Sequence, residues 1–383
     1  HQVMTEETKR TGLGDIELGN YTELSSGAGA ITLAGSAVAT ETSPSGYATA
    51  GTGGYGVALG TSAVANDAVK LTTTSGDIVI RGKIHQTNGL GAGVALWSGS
   101  NITSATGAIT VDGQSYQPTG TLQGHATYMN FGGGYTSTIT TGKSTDTAID
   151  IKGIVTSGAS SSSNAYGVLA WLSTGSNNIS ATGGGDILIT GTSATNTGEA
   201  IALNRTNLFA TSGDINLNGG TQRVIMGQNG VNYIGGSTAA ADHTGDLTIC
   251  AGNVVFYTSY WTYLRTAGNL VIEPCSGSFT VAQSWPGTDV SMVAKSARFG
   301  RTGNTGNITV STAMTLAGDL EVIGGAITYN GSGVTTNGDA SDILIRASGA
   351  YVGPAAFNAG GKISITAATF DGTGGCLGER SSI

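Results

Sequence analysis

One short phrase recurs along most of the 383 residues: a Gly or other small residue, then Asp, Asn or Ala, then alternating β-branched or aliphatic residues. It stands at Gly76-Asp77-Ile78-Val79-Ile80, Gly107-Ala108-Ile109-Thr110-Val111, Gly185-Asp186-Ile187-Leu188-Ile189 and Gly213-Asp214-Ile215-Asn216-Leu217. Further copies are Gly245-Asp246-Leu247-Thr248-Ile249, Gly268-Asn269-Leu270-Val271-Ile272, Gly306-Asn307-Ile308-Thr309-Val310 and Gly318-Asp319-Leu320-Glu321-Val322. Weaker ones are Asp342-Ile343-Leu344-Ile345 and Lys362-Ile363-Ser364-Ile365. Each copy reads as one short strand with two inward apolar positions, launched from a turn. So small a strand cannot bury its own apolar face, so the copies must stack on one another. The pattern predicts a solenoid.

Two other elements lie between the phrases. One is Tyr55-Gly56-Val57-Ala58-Leu59, Ala92-Gly93-Val94-Ala95-Leu96, Tyr166-Gly167-Val168-Leu169-Ala170 and Glu199-Ala200-Ile201-Ala202-Leu203. The other is Asn101-Ile102-Thr103-Ser104-Ala105-Thr106-Gly107, Asn178-Ile179-Ser180-Ala181-Thr182-Gly183 and Leu208-Phe209-Ala210-Thr211-Ser212-Gly213. Three strands per period of about 30–40 residues fit one coil of an all-β, parallel β-helix. A sandwich also has evenly spaced strands, but only in-register parallel stacking places like sequence on like. The reading is one continuous solenoid in three segments: N-terminal coils or cap over 1–70, long coils over 71–235, and tighter coils with a C-terminal cap over 236–383. In the last segment the spacing falls to about 20–25 residues and once to about 12. Corner Gly supplies positive φ or close backbone approach, and the Asp or Asn beside it hydrogen-bonds its own turn or forms ladders between coils.

Composition narrows the function. With 64 Gly and 10% charged residues the chain could be disordered, but 39% hydrophobic content in regular alternation argues for ordered β structure. A net charge of −8 without a basic stretch argues against binding nucleic acid. No apolar run approaches the roughly 20 residues of a membrane-spanning helix. The charged start His1-Gln2-Val3-Met4-Thr5-Glu6 is not a signal peptide, and with the end at Ser381-Ser382-Ile383 it suggests a mature or excised segment. Few charges with abundant Thr, Ser, Asn and Gly point to an exported, extracellular β repeat.

The candidate chemistry is sparse. Asp77, Asp186, Asp214, Asp246, Asp319 and Asp342 all hold the same repeat position, so a structural corner role accounts for them together; Asp146, Asp150 and Asp289 are off the pattern with no second acid grouped with them. Gly142-Lys143-Ser144 lacks the upstream Gly of a phosphate loop, because Ser137 stands there. The four His (His1, His85, His125, His243) are dispersed, tandem calcium motifs are absent, and the expectation is no metal, no cofactor and no catalysis. Cys250 and Cys275 fall two residues out of step in adjacent coils, which fits either a disulfide or two buried thiols; Cys376 has no neighbour. The sharpest local feature is aromatic: Phe256, Tyr257, Tyr260, Trp261 and Tyr263 lie within eight residues of a chain that is 6% aromatic. Alternation cannot bury all five, so the segment is a candidate interface, with filling of a wide coil as the alternative. Trp97 and Trp171 share a repeat position and read as structural.

The Gly-Asp-Ile-x-Ile, Gly-Asn-Ile-Thr-Val and Gly-Ser-Asn-Ile-Thr-Ser-Ala-Thr-Gly phrases resemble the repeat shaft of filamentous-haemagglutinin-type bacterial exoproteins over roughly residues 71–370. The resemblance implies a right-handed parallel β-helix at the bacterial cell surface, acting as an adhesin stalk, filament or surface-layer subunit. Its partners would be copies of itself and surface glycans. No Asn-Pro-Asn secretion motif is present, and no catalytic residue carries over. The alternatives are a polysaccharide-binding or -cleaving β-helix, which needs two off-pattern carboxylates in a groove, and an ice- or mineral-binding face of aligned Thr.

Overall fold

The computed structural model describes residues 8–13, 16–36, 48–50, 54–60, 69–85, 90–117, 123–131, 134–157, 165–171, 174–194, 199–236, 243–312, 314–330, 334–336, 341–353 and 357–371. The chain divides into two compact units, His1–Gly213 and Asp214–Ile383, each described here by itself. Among the described residues all regular structure is β. The strands pair in parallel, and each unit is a stack of three-stranded coils.

In the first unit the phrase forms one side of every coil, the phrase face: Ile31–Ser36, Ile78–His85, Ile109–Gln117, Thr147–Ser157 and Asp186–Ser193. A middle face holds Tyr55–Leu59, Leu90–Trp97, Gln123–Phe131, Tyr166–Ala170 and Glu199–Leu203. A third face holds Val69–Thr73, Asn101–Ser104, Ser137–Thr141, Asn177–Ala181 and Thr206–Ala210. Register follows the repeated sequence: Ile78 pairs with Ile109, Ile109 with Ile149 and Ile149 with Ile187. All four have 0% exposure, so the two inward positions of each phrase build a continuous aliphatic stack. Burying one such side chain is worth about 1.5–3 kcal/mol, and β-branched residues suit the pleated, half-buried surface.

Glycine brings the phrase and middle faces into backbone contact. Gly82, Gly113, Gly153 and Gly191 are paired in one column, two residues beyond the second inward aliphatic residue. A Cβ on any of them would strike a middle-face carbonyl, that of Gly93, Ala126, Gly167 or Ala200 respectively. The middle-face ladder accommodates this by stepping from His125 to Thr127 and from Tyr166 to Val168. The corner Gly of the phrase has a similar cause. At Gly107 an added Cβ would run into the Gly76 carbonyl of the preceding coil, so close stacking rather than positive φ demands Gly there.

The second unit has shorter coils. Hydrogen bonds between equivalent corners span 32 residues at Asp214 and Asp246, then 23 between Asp246 and Asn269 and 20 between Asp342 and Lys362. Its phrase face runs through Ile215–Asn218, Leu247–Cys250, Asn269–Glu273, Ser296–Phe299, Leu320–Gly324, Ile343–Ala347 and Ile363–Thr366. A second face carries Asn232–Ile234, Thr262–Arg265, Val290–Ala294, Met314–Leu316, Val334–Thr336 and Phe357–Asn358. The remaining side is split into a pair, Arg223–Met226 and Asn253–Phe256, and a separate five-strand sheet opening at Gln283–Trp285. Side chains replace the ladder at the split: Val254 N donates to Gln283 Oε1 (2.9 Å), and Trp285 Nε1 donates to the Val254 carbonyl (3.3 Å). The short spacing of about 12 residues in the sequence is explained here. Ile308–Val310 pairs with Gln283–Trp285 and Ile327–Tyr329, on a different side of the coil from Leu320–Gly324.

Cys250 and Cys275 form a disulfide, with Cα atoms 4.9 Å apart, and both residues are half-buried rather than fully enclosed. Cys250 pairs with Glu273, so the bond staples adjacent coils across the two-residue offset. Cys376 and His1 lie outside the described residues.

The glycine column yields a direct expectation. Gly113→Ala forces the new methyl against the Ala126 carbonyl, and overpacking of this kind costs about 1–3 kcal/mol. Chemical denaturation should show that loss, whereas Gly19→Ala, where a Cβ meets open space, should show much less.

Candidate functional site

The corner carboxylates are the first residues to place. Asp77 Oδ1 accepts from Ala108 N (2.7 Å), Asp214 Oδ1 from Asp246 N (2.8 Å), and Asp246 Oδ1 from both Asn269 N (2.8 Å) and Asn269 Nδ2 (3.0 Å). Asp319 Oδ1 accepts from Asp342 N (2.8 Å), and Asp342 Oδ1 from Lys362 N (2.7 Å). Each acceptor therefore serves the amide at the same corner of the next coil, not its own turn. The carbonyl of that same corner residue accepts from the strand of the previous coil, as Ala108 O does from Ile78 N and Asp246 O from Ile215 N. The carboxylate thus prolongs the parallel ladder by one bond at the point where the strand turns. Ser296 Oγ fills the role for Asp319 N (3.1 Å), and Asn307 Oδ1 for Ala326 N (2.8 Å). Hydroxyls add a second set of bonds, Ser104 Oγ donating to Gly76 O (3.2 Å) and Thr141 Oγ1 to Gly107 O (2.6 Å).

A shallow depression of about 330 Å³ on the second unit is lined by Asp319, Glu321, Asp342 and Lys362 among others. Its two aspartates each accept a backbone amide of the next coil, and Glu321 lies 3.7 Å from the Arg346 guanidinium. The off-pattern acids separate. Asp146 and Asp289 hold left-handed turn positions (φ 53° and 64°), which the short Asp side chain tolerates. Asp150 does have a neighbouring acid, contrary to the sequence reading. Thr110 pairs with Asp150 and Asp112 with Lys152, so Asp112 and Asp150 are diagonal neighbours on the outer phrase face of the first unit. Asp112 is also paired with Arg81 on its other side, which makes an Arg81–Asp112–Lys152 column across three coils. Burial, and then the charge of Asp112, raise the Asp150 carboxyl above its ordinary value, with Lys152 acting against them. His125 is enclosed, and burial alone lowers its imidazole to about 3, so it is neutral.

The aromatic segment forms the turn between Asn253–Phe256 and Thr262–Arg265. Phe256 points into the coil at 5% exposure, which removes it from the candidate surface; Tyr257 and Tyr263 are half-buried; Tyr260 and Trp261 are 40% and 43% exposed. Tyr263 is the centre of a ring cluster. Its ring stacks on Tyr233 at 5.1 Å and 7°, and on Trp261 at 5.6 Å and 15°, with the Arg265 guanidinium 5.4 Å from its centroid. Tyr233 was not singled out in the sequence because it lies one coil earlier, at the position paired with Tyr263. The turn is pinned on both sides: Tyr257 N donates to Met226 O (2.9 Å), Asn232 N to Trp261 O (3.0 Å), and Thr262 N to Asp289 O (2.8 Å). Rigid Trp, Tyr and Arg side chains in one cluster have the composition of an interface hot spot.

No family model, curated protein or solved structure matches this chain. Among the described residues no helix is long and apolar enough to cross a membrane.

Two substitutions separate structural from chemical roles. Asp246→Ala leaves Asn269 N without its acceptor and should cost about 1 kcal/mol, while Asp246→Asn keeps an acceptor oxygen and should cost less. Denaturant midpoints of the two variants check this. For Asp150 the raised folded-state value means that ionisation opposes folding. Stability from this group is fully present below the ordinary carboxylate value and is lost as pH rises through the raised folded-state value. Asp150→Asn should therefore raise the melting temperature at pH 7, with the gain disappearing in acid; a constant gain at both pH values would contradict the assignment.

Proposed function

We propose that the chain is a structural, non-catalytic β-helical shaft of an exported surface protein, an adhesin stalk or filament subunit resembling filamentous-haemagglutinin-type repeats. The observation that carries this reading is the ring cluster of Tyr233, Trp261, Tyr263 and Arg265, whose exposed edge is Trp261, with the exposed Tyr260 beside it on a turn hydrogen-bonded to neighbouring coils. In such a body the repeated acids serve coil stacking, and recognition belongs to interruptions of the repeat. The partner at this cluster is another copy of the chain, with surface glycans as the other class. The Cys250–Cys275 disulfide supports an oxidising, extracellular setting, since such bonds persist outside reducing compartments.

A second reading, a polysaccharide-binding or -cleaving helix, is favoured by one observation, the diagonal Asp112 and Asp150 flanked by Arg81 and Lys152. Reducing-end release from a polysaccharide by the wild-type chain would favour it over the first.

Tyr260→Ser combined with Trp261→Ser should abolish self-association in analytical ultracentrifugation and remove filaments or rods from electron micrographs, while the β circular dichroism is unchanged. Unchanged assembly in that folded variant would remove the aromatic turn from the proposal.

A further inference from the structure

We infer that one buried water is an integral part of the first unit, held beside Asn177 where the middle and third faces meet. A cavity of about 10 Å³ lies there, lined by Leu96, Ser100, Met129, Ser137 and Asn177 together with further third-face residues, aliphatic except for Thr138 and Asn178. That is about the volume one water-sized probe needs, at the lower end of the range of roughly 10–15 Å³. It is too small for any larger ligand. Cavities that stay dry are apolar throughout; this one carries the polar side chains of Ser100, Ser137 and Asn177.

Asn177 is 2% exposed, and its Nδ2 has no hydrogen-bond partner among the described protein groups. A buried donor left in that state costs about 1–3 kcal/mol. The two hydroxyls lining the same space already use their protons. Ser100 Oγ donates toward Trp97 O (2.7 Å) and Leu59 O of the preceding coil (3.1 Å), and Ser137 Oγ donates to the Trp97 carbonyl (3.4 Å) while accepting from Gly99 N (3.2 Å). Each hydroxyl oxygen has two lone pairs, so both retain accepting capacity toward the cavity. A water accepting from Asn177 Nδ2 and donating to Ser137 Oγ makes two bonds to protein, within the range of two to four for a buried water.

The placement links successive coils. Ser137 and Asn177 are paired residues of neighbouring third-face strands, and Thr138 N donates to Ser100 O one coil earlier (2.9 Å). One water thus bridges the paired polar side chains of two adjacent coils beside the aliphatic interior.

The test is a crystal structure of the full chain at a resolution that shows ordered solvent. The expected result is a density peak about 2.7–3.2 Å from both Asn177 Nδ2 and Ser137 Oγ, and its loss in Asn177→Leu, which keeps the volume and removes the donor. In solution the Asn177 side-chain amide should show a direct Overhauser contact to a long-lived water, a readout that stands if the Leu variant fails to fold. A wild-type map with no peak, or with the Asn177 amide turned onto a protein carbonyl and the space closed, overturns the inference.

Discussion

A strand of three to five residues has more unpaired backbone groups than it has apolar surface to offset them, so everything in this molecule depends on the parallel ladder between coils. The ladder alone stops where the strand turns. The carboxylate at the corner carries it one bond further, by accepting the amide that the turn would leave exposed at the edge of the sheet. Corner Gly allows the neighbouring carbonyl close enough for this to work, and Ser or Thr hydroxyls hold that carbonyl from the inner side. The phrase is therefore a set of mutually dependent parts, and its acid is explained by geometry before any chemistry is considered.

The cross-section of a coil is set by a different device in each unit. In the first, the column through Gly113 lets two sheets touch backbone to backbone, so no side chain fills the gap. In the second, large rings fill shorter coils: Trp285, Phe299, Tyr329 and Tyr351 are all nearly or fully buried, and Trp285 packs edge-on against Phe299 at 4.9 Å. Where the sheet on one side breaks, Gln283 and Trp285 supply the hydrogen-bonding groups that the backbone no longer can. Such a break tolerates a change of coil path without leaving buried amides unsatisfied.

The architecture was legible because period-2 alternation and like-on-like repetition are both written in the order of residues. Three phrase-face strands, Ile31–Ser36, Thr147–Ser157 and Ser296–Phe299, open without Gly-Asp and escape the sequence reading. Position in the coil defines them, and position is a property of pairing. The same limit hid Tyr233 and Asp112. Their partners Tyr263 and Lys152, and the diagonal neighbour Asp150, are remote in sequence and adjacent only through register. The direction of the corner Asp bond was likewise open between its own turn and the next coil, since both donors are reachable from one side-chain length.

The corner array also has an electrostatic consequence. Parallel strands lie about 4.8 Å apart, so carboxylates at successive corners repel, by about 1 kcal/mol for exposed charges at such a distance in water. Along the second unit the order of corner residues is Asp214, Asp246, Asn269, Ser296, Asp319, Asp342 and Lys362. Acids occur in runs of two, relieved by a neutral acceptor or closed by a cation. Coil number in such a unit is therefore bounded by charge bookkeeping as well as by packing, and a lengthened version needs uncharged corners at the same rhythm to remain tolerant of low salt.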